Sequence, residues 1–165
     1  LGNGFPRPSG SKKLIAVAGG IGVAGLYLFV KEYPHATLLF GAKDSVEARL
    51  SSGIKRFPQR TRLATEDGSL GKKGLVTDIL KEELTRDSLV YACGPSGMLK
   101  VVAGITRKAG VVSYVSLERS MACGVGACLG CAVKTGHTGK TEGAYRMVCS
   151  DGPVFSADDI MWEFF

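Results

Sequence analysis

The sequence predicts an α/β fold, a doubly wound five-stranded parallel sheet over residues 12–118 followed by a small glycine- and cysteine-rich unit over residues 119–165. Three observations carry that expectation. Short apolar runs alternate with helix-compatible stretches from Leu14 to Leu117, the rhythm of successive βαβ units. A glycine cluster, Gly19-Gly20-Ile21-Gly22, stands where the first run gives way to the first helical stretch. Further on, periodicity fades: residues 120–155 hold seven glycines and four of the five cysteines, so something other than hydrophobic pattern must organise them.

Taken in order, residues 1–11 read as a linker because of Pro6, Pro8, Ser9, Gly10 and Ser11. Leu14 to Ala18 is a short apolar strand entering a tight turn. Gly22 to Tyr33 is helical and is stopped by Pro34. Ala36 to Gly41 is the second strand, Val46 to Phe57 the second helix, and Thr61 to Thr65 the third strand. Glu66 to Gly74 is a glycine-punctuated turn, after which a helix begins at Thr77 and a strand runs from Leu89 to Cys93. The helix Pro95 to Ala109 has Pro at its start and Gly110 just past its end, the asymmetry that helix termini favour. Val111 to Leu117 is the fifth strand. Strands separated by helical crossovers pair in parallel.

Composition narrows the class. With 165 residues, 45% hydrophobic and 22% charged, the chain is neither disordered nor fibrous. Its net charge of +6 is spread without a polybasic run, so neither nucleic acid nor a membrane surface is expected as a partner. Leu14 to Val30 is apolar but interrupted by Gly19, Gly20, Gly22 and Gly25, and it is short of the roughly 20 residues a spanning helix needs. No secretory signal opens the chain, so a cytoplasmic protein is expected. Leu1 is not an initiator methionine, and the chain is expected to begin inside a longer protein.

Cys123, Cys128, Cys131 and Cys149 read Cys-x4-Cys-x2-Cys with a more distant fourth Cys, the plant-type spacing for a 2Fe-2S cluster. Such a cluster takes four thiolates, most of them from one loop wrapped closely round the anionic core. Gly124, Val125, Gly126, Ala127, Leu129 and Gly130 are small or apolar and leave backbone N–H groups free to approach sulfur. Two disulfides or a structural zinc site would use the same thiols. Cys93 lies far upstream at a strand end and is set apart from the ligands.

Gly20-Ile21-Gly22-Val23-Ala24-Gly25 matches G-x-G-x-x-G between a predicted strand and helix, where backbone amides and the helix N-terminus can hold a pyrophosphate. Cys93-Gly94-Pro95 closes the fourth strand, the edge at which open α/β sheets bind ligands. Glu66 and Asp67 follow the third strand; they could accept hydrogen bonds from a ribose and would repel a 2'-phosphate, which favours NAD over NADP. Asp44 competes for the ribose. Each feature also has a plain reading, as a packing-driven turn or a solvated loop charge. His35, His137, Lys72 and Lys73 read as surface residues, and no arrangement suited to hydrolysis is present, so no catalytic residue is assigned.

A nicotinamide exchanges hydride and a 2Fe-2S cluster single electrons, so a flavin is implied between them. The order Gly19-Gly20-Ile21-Gly22, Cys93-Gly94-Pro95 and a C-terminal plant-type cluster resembles the ferredoxin-NADP reductase superfamily. Leu1-Gly2-Asn3-Gly4-Phe5, Ala64 to Thr77, Ser116 to Cys131 and Cys149 to Phe155 look more closely like the electron-transfer subunits of class B dihydroorotate dehydrogenase. The resemblance implies an oxidoreductase subunit with a reductase-like NAD domain at 12–118 and a ferredoxin-like cluster domain at 119–165. It implies an FAD-binding barrel preceding residue 1 and electron flow between NAD and an FMN-bearing catalytic subunit that oxidises dihydroorotate in pyrimidine synthesis. The cluster ligands carry over onto Cys123, Cys128, Cys131 and Cys149, and the residue beside the nicotinamide onto Cys93. Related flavin and iron-sulfur subunits, of a sulfhydrogenase or of the NADH-dependent reduced-ferredoxin:NADP oxidoreductase, share these features. A zinc-stabilised nucleotide-binding module is the reading from another class.

Overall fold

The computed structural model describes residues 1–50, 60–136 and 144–165, and for Leu50 the backbone alone. The predicted helix beyond residue 50 and His137 lie outside the described residues. Strands β1 (Lys13–Gly19), β2 (Thr37–Ala42), β3 (Thr61–Thr65), β4 (Lys72–Lys73), β5 (Ser88–Cys93), β6 (Ser113–Ser116) and β9 (Val154–Ser156) form one sheet in the order β4-β3-β2-β1-β5-β6-β9. All neighbours are parallel except β9, which runs antiparallel to β6. Strands β7 (Ala132–Thr135) and β8 (Ala144–Met147) make a separate antiparallel pair.

The five predicted parallel strands are all present as β1, β2, β3, β5 and β6. Central strands are apolar along most of their length because helices cover both faces. Every residue of β5 is buried, and in β1 Ile15 and Val17 face one layer while Ala16 and Ala18 face the other, as the two-residue side-chain period requires. On the first side Ile15, Val17, Leu39 and Val90 pack with Ile79 and Leu80 of α3 (Val76–Glu83) and Leu99 and Val102 of α4 (Ser96–Ala109). On the second, Ala16, Leu38 and Phe40 meet Val23, Leu26 and Phe29 of α1 (Gly22–Glu32), with Ala48 of α2 (Ser45–Leu50) in the same layer. Gly110 ends α4 at φ 66° and returns its N–H to Thr106 and Arg107 carbonyls, the left-handed cap that its place beyond the helix foretold.

Two short strands extend the sheet beyond the sequence expectation. β4 forms inside the stretch read as a turn, pairing Ala64 with Lys72 and Thr65 with Lys73. β9 brings the cysteine-bearing segment back to β6, pairing Val115 with Phe155. Cys131, Val133, Val148, Cys149, Ile160 and Trp162 join the apolar layer of α3 and α4. Residues 1–6, read as linker, are folded down: Phe5 sits edge-on to Tyr91 at 5.5 Å and tilted on Phe29 at 5.9 Å. The Tyr91 hydroxyl donates to the Pro6 carbonyl at 3.1 Å, and burial pushes its pKa up to about 12. No helix among the described residues is long and apolar enough to cross a membrane.

The first turn of α1 lies unusually close to the end of β5. A Cβ on Gly22 would stand 2.3 Å from the Cys93 carbonyl oxygen and 2.7 Å from the Gly94 Cα, backbone atoms that cannot step aside. Gly22→Ala should therefore lower stability by about 1–3 kcal/mol through overpacking, read as a lower denaturation midpoint. An unchanged midpoint would show that α1 and β5 do not pack this closely.

Candidate functional site

The antiparallel pairing of β7 with β8 sets Ala132 opposite Met147, which brings the next residues outward, Cys131 and Val148, together through a 3.2 Å hydrogen bond from the Val148 N–H to the Cys131 carbonyl. Cys149 follows in the turn after β8. The thiols stand as two adjacent pairs, Cys123 with Cys128 and Cys131 with Cys149. Cys131 and Cys149 are buried, whereas Cys123 and Cys128 are exposed.

Backbone amides point at the sulfurs. Val125 N and Cys128 N donate to Cys123 Sγ at 3.5 and 3.4 Å, Gly126 N to Cys149 Sγ at 3.1 Å, and Cys149 N to Cys131 Sγ at 3.4 Å. This aim needs a chain that reverses repeatedly. Gly124, Gly126 and Leu129 hold φ of 72°, 80° and 59°, and a Cβ on Gly126 would press to 2.8 Å on Ser150 Oγ. The N–H groups of Val125 and Cys128 lower the Cys123 pKa to about 6, the N–H of Cys149 lowers that of Cys131, and Cys131 in turn raises that of Cys149. Two thiol pairs with amide donors suit a binuclear cluster in which each iron takes two thiolates.

A cleft of about 310 Å³ opens at the C-terminal ends of β1, β2 and β3, where doubly wound sheets bind ligands. Gly19, Gly20, Glu66 and Pro95 line it. Gly22, Cys93 and Gly94 instead form its support. The Cys93 thiol is buried, its pKa is raised by that burial, and it lies 2.8 Å from where a Cβ on Gly25 would stand; this contact is the local reason for glycine at position 25. Asp67 turns back to accept from Ser69 N at 2.9 Å and Ser69 Oγ at 2.7 Å, and those bonds lower its pKa. Asp44 caps α2 by accepting from the Val46 and Glu47 amides at 2.8 Å.

Sequence reasoning missed Glu47, which lines the cleft with Lys43. Its Oε2 accepts from Lys43 N at 2.6 Å and its Oε1 lies 3.0 Å from the Cβ position of Gly20. The pattern Asp44-Ser45-Val46-Glu47 is a capping-box signature and could have located it. His35 is exposed against the edge of Tyr33, and Lys72 is ion-paired with Glu82.

The thiol environments separate by pH. In iron-free protein at pH 7, above the Cys123 pKa of about 6, Cys123 is mostly thiolate and should alkylate well before buried Cys93, whose pKa is raised. The rate at Cys123 should fall as pH drops through 6. Peptide mass mapping of partly alkylated protein reads the order, and faster labelling at Cys93 would contradict the loop geometry.

The chain is similar to known proteins over nearly its whole length. Residues 118–161 match the family described as the iron-sulfur cluster binding domain of dihydroorotate dehydrogenase B. The chain is 37% identical to the dihydroorotate dehydrogenase B (NAD(+)) electron transfer subunit of Desulforamulus reducens, covering 99% of this chain and 64% of the relative. It is 40% identical to that of Caldanaerobacter subterraneus subsp. tengcongensis, with 98% and 64% covered, and 41% identical to that of Geobacillus thermodenitrificans, with 98% and 63% covered. The chain thus spans a little under two thirds of the length of these curated relatives. Among solved structures it is similar to a chain of the NADH-dependent reduced ferredoxin-NADP oxidoreductase, described for flavin-based electron bifurcation, with TM-score 0.74 and 29% identity over 97% of this chain and 58% of that one. Residues 118–161 thus match the iron-sulfur cluster binding domain of dihydroorotate dehydrogenase B, and nearly the whole chain is similar to the electron transfer subunits of that enzyme.

Proposed function

We propose that the chain carries electrons between NAD and an FMN-bearing dihydroorotate dehydrogenase catalytic subunit, as the electron-transfer subunit of that enzyme in pyrimidine synthesis. The observation that carries this reading is the double pair of thiols under backbone amides, in a segment that β9 ties to the sheet bearing the cleft. The similarity to the named electron transfer subunits supports the partner and the substrate. NAD supplies or accepts hydride, a 2Fe-2S cluster passes single electrons, and FAD in the full-length protein mediates between the two. The cytoplasm is the compartment that suits such a subunit.

In this reading the residues divide their work between a nucleotide half, 12–118, and a cluster half, 119–165. Cys123, Cys128, Cys131 and Cys149 hold the cluster, and the amides of Val125, Gly126, Cys128 and Cys149 offset its negative charge. Gly19 and Gly20 let the backbone approach the pyrophosphate, and Pro95 walls the cleft. Gly22, Cys93 and Gly94 form the floor that holds the glycine turn against β5, with Cys93 nearest the nicotinamide. Glu66 reads the adenosine ribose, and Asp67 fixes the turn that presents it. Glu47 adds a second carboxylate on the β2 side.

A second reading, a subunit of an NADH-dependent ferredoxin:NADP oxidoreductase, draws on the solved-structure similarity. Full-length protein, purified anaerobically, separates the two. NADH should bleach the cluster spectrum only when FAD is bound, dithionite should do so regardless, and the catalytic subunit should couple the reduction to dihydroorotate. Cys128→Ser should abolish the spectrum and Cys93→Ser retain it. Coupling to reduced ferredoxin in place of dihydroorotate would favour the second reading, and equal loss in both cysteine variants would overturn the ligand set.

The carboxylates make a further expectation. A 2'-phosphate beside Glu66 and Glu47 meets like charge, so NADH should bind more tightly than NADPH. Changing both to Gln should narrow that preference several-fold in a binding titration. Tighter NADPH binding by the unsubstituted protein would refute the assignment.

A further inference from the structure

We infer that Asn3 is a positioning residue for the cluster: it orients the turn that carries Cys149, and through that turn the amide aimed at Cys131. The inference rests on the cluster reading given above. The turn after β8 folds around one acceptor, the Met147 carbonyl, which takes N–H groups from Ser150, Asp151 and Gly152 at 3.2, 2.8 and 3.2 Å. Asp151 Oδ2 closes the turn by accepting from Met147 N at 2.7 Å. Its amides are thereby used inward, and its carbonyls face out.

Those outward carbonyls meet a single residue. Asn3 Nδ2 donates to the Ser150 and Asp151 carbonyls at 3.4 and 3.3 Å, and Asn3 N donates to the Gly152 carbonyl. Asn3 also bridges Pro153 in parallel β fashion. The approach depends on Gly2, at φ 64°, where a Cβ would fall 1.8 Å from the Gly152 oxygen and 3.2 Å from the Cys149 carbonyl. Downstream, Phe5 packs against Phe29 and Tyr91, an anchor of the N-terminal segment separate from the hydrogen bonds that Asn3 makes to the turn.

Asn3 is itself exposed, and the three carbonyls it terminates follow Cys149 directly in the chain. Cys149 is the point of leverage because its N–H donates to Cys131 Sγ at 3.4 Å while its own Sγ accepts from Gly126 N at 3.1 Å. Rotating the peptides after Cys149 therefore disturbs both contacts. An N–H donor to a cluster sulfur stabilises the more negative, reduced state, so weakening it lowers the reduction potential. A side-chain amide suits the position because it can donate to two carbonyls, whereas a carboxylate only accepts.

The test compares full-length protein reconstituted with iron and sulfide, unsubstituted and as Asn3→Ala, Asn3→Asp, Asn3→Gln and Phe5→Leu. Iron and sulfide content, the electron paramagnetic resonance spectrum of the dithionite-reduced cluster, its midpoint potential and the rate of iron loss to a chelator are read. Asn3→Ala and Asn3→Asp should shift the resonance, lower the potential and lose iron several-fold faster, Asp more than Ala. Asn3→Gln, which keeps the donor and guards against a variant that fails to fold, should recover part of each. Phe5→Leu loosens the anchor but keeps the amide and should leave the spectrum in place. Unaltered spectra and potentials in Asn3→Asp, or equal changes in Phe5→Leu, would overturn the inference while leaving the cluster standing. Absence of iron from the unsubstituted protein would overturn the cluster reading and this inference together.

Discussion

The pairing of β9 with β6 is the interaction on which the arrangement depends. Three residues of β9, in register from Tyr114↔Ser156 to Ser116↔Val154, bring the segment after the cysteine loop onto the sheet whose C-terminal edge forms the cleft. Around this seam the Leu117 N–H donates to the Pro153 carbonyl at 2.8 Å and the Ala157 N–H to the Ser113 carbonyl at 2.9 Å. With the seam in place, Phe155, Ile160 and Trp162 complete the apolar layer of α3 and α4. The cluster half has too few apolar residues to build a separate core of ordinary size, and sharing one resolves that shortage.

The parts of the fold legible in the sequence were those with local causes. Apolar runs such as LIAVA and LVYAC become central strands because both faces are covered, and Pro34 and Gly110 end helices by their own backbone geometry. The cysteine spacing is legible for the same reason, since a loop around a cluster constrains neighbouring positions. β4 and β9 were hidden because two- and three-residue strands carry no period to detect. The docking of Phe5 was hidden because its partners, Phe29 and Tyr91, come from distant segments.

Residues 12–118 make a related point about carboxylates. Four acids lie near the C-terminal edge, and their types alone did not sort them. Asp44 and Asp67 have short side chains that bond back to nearby amides, as Asp tends to do at caps and turns. The longer Glu47 and Glu66 reach the cleft. The glycines likewise have two employments: Gly20, at φ 51°, shapes the turn, whereas Gly22 and Gly25 admit the Cys93 backbone and thiol.

The two margins of the sheet bear on how the molecule assembles. On one side β4 is only Lys72–Lys73, both exposed, and charged, very short strands are poor templates for a further strand. On the other, β9 is three residues long and runs antiparallel to β6, so the parallel ladder stops there. Neither margin invites strand addition or edge-to-edge self-association. A partner that left both margins unpaired would meet loops and helix surfaces instead, and the strand order that carries the cleft would stay as it is.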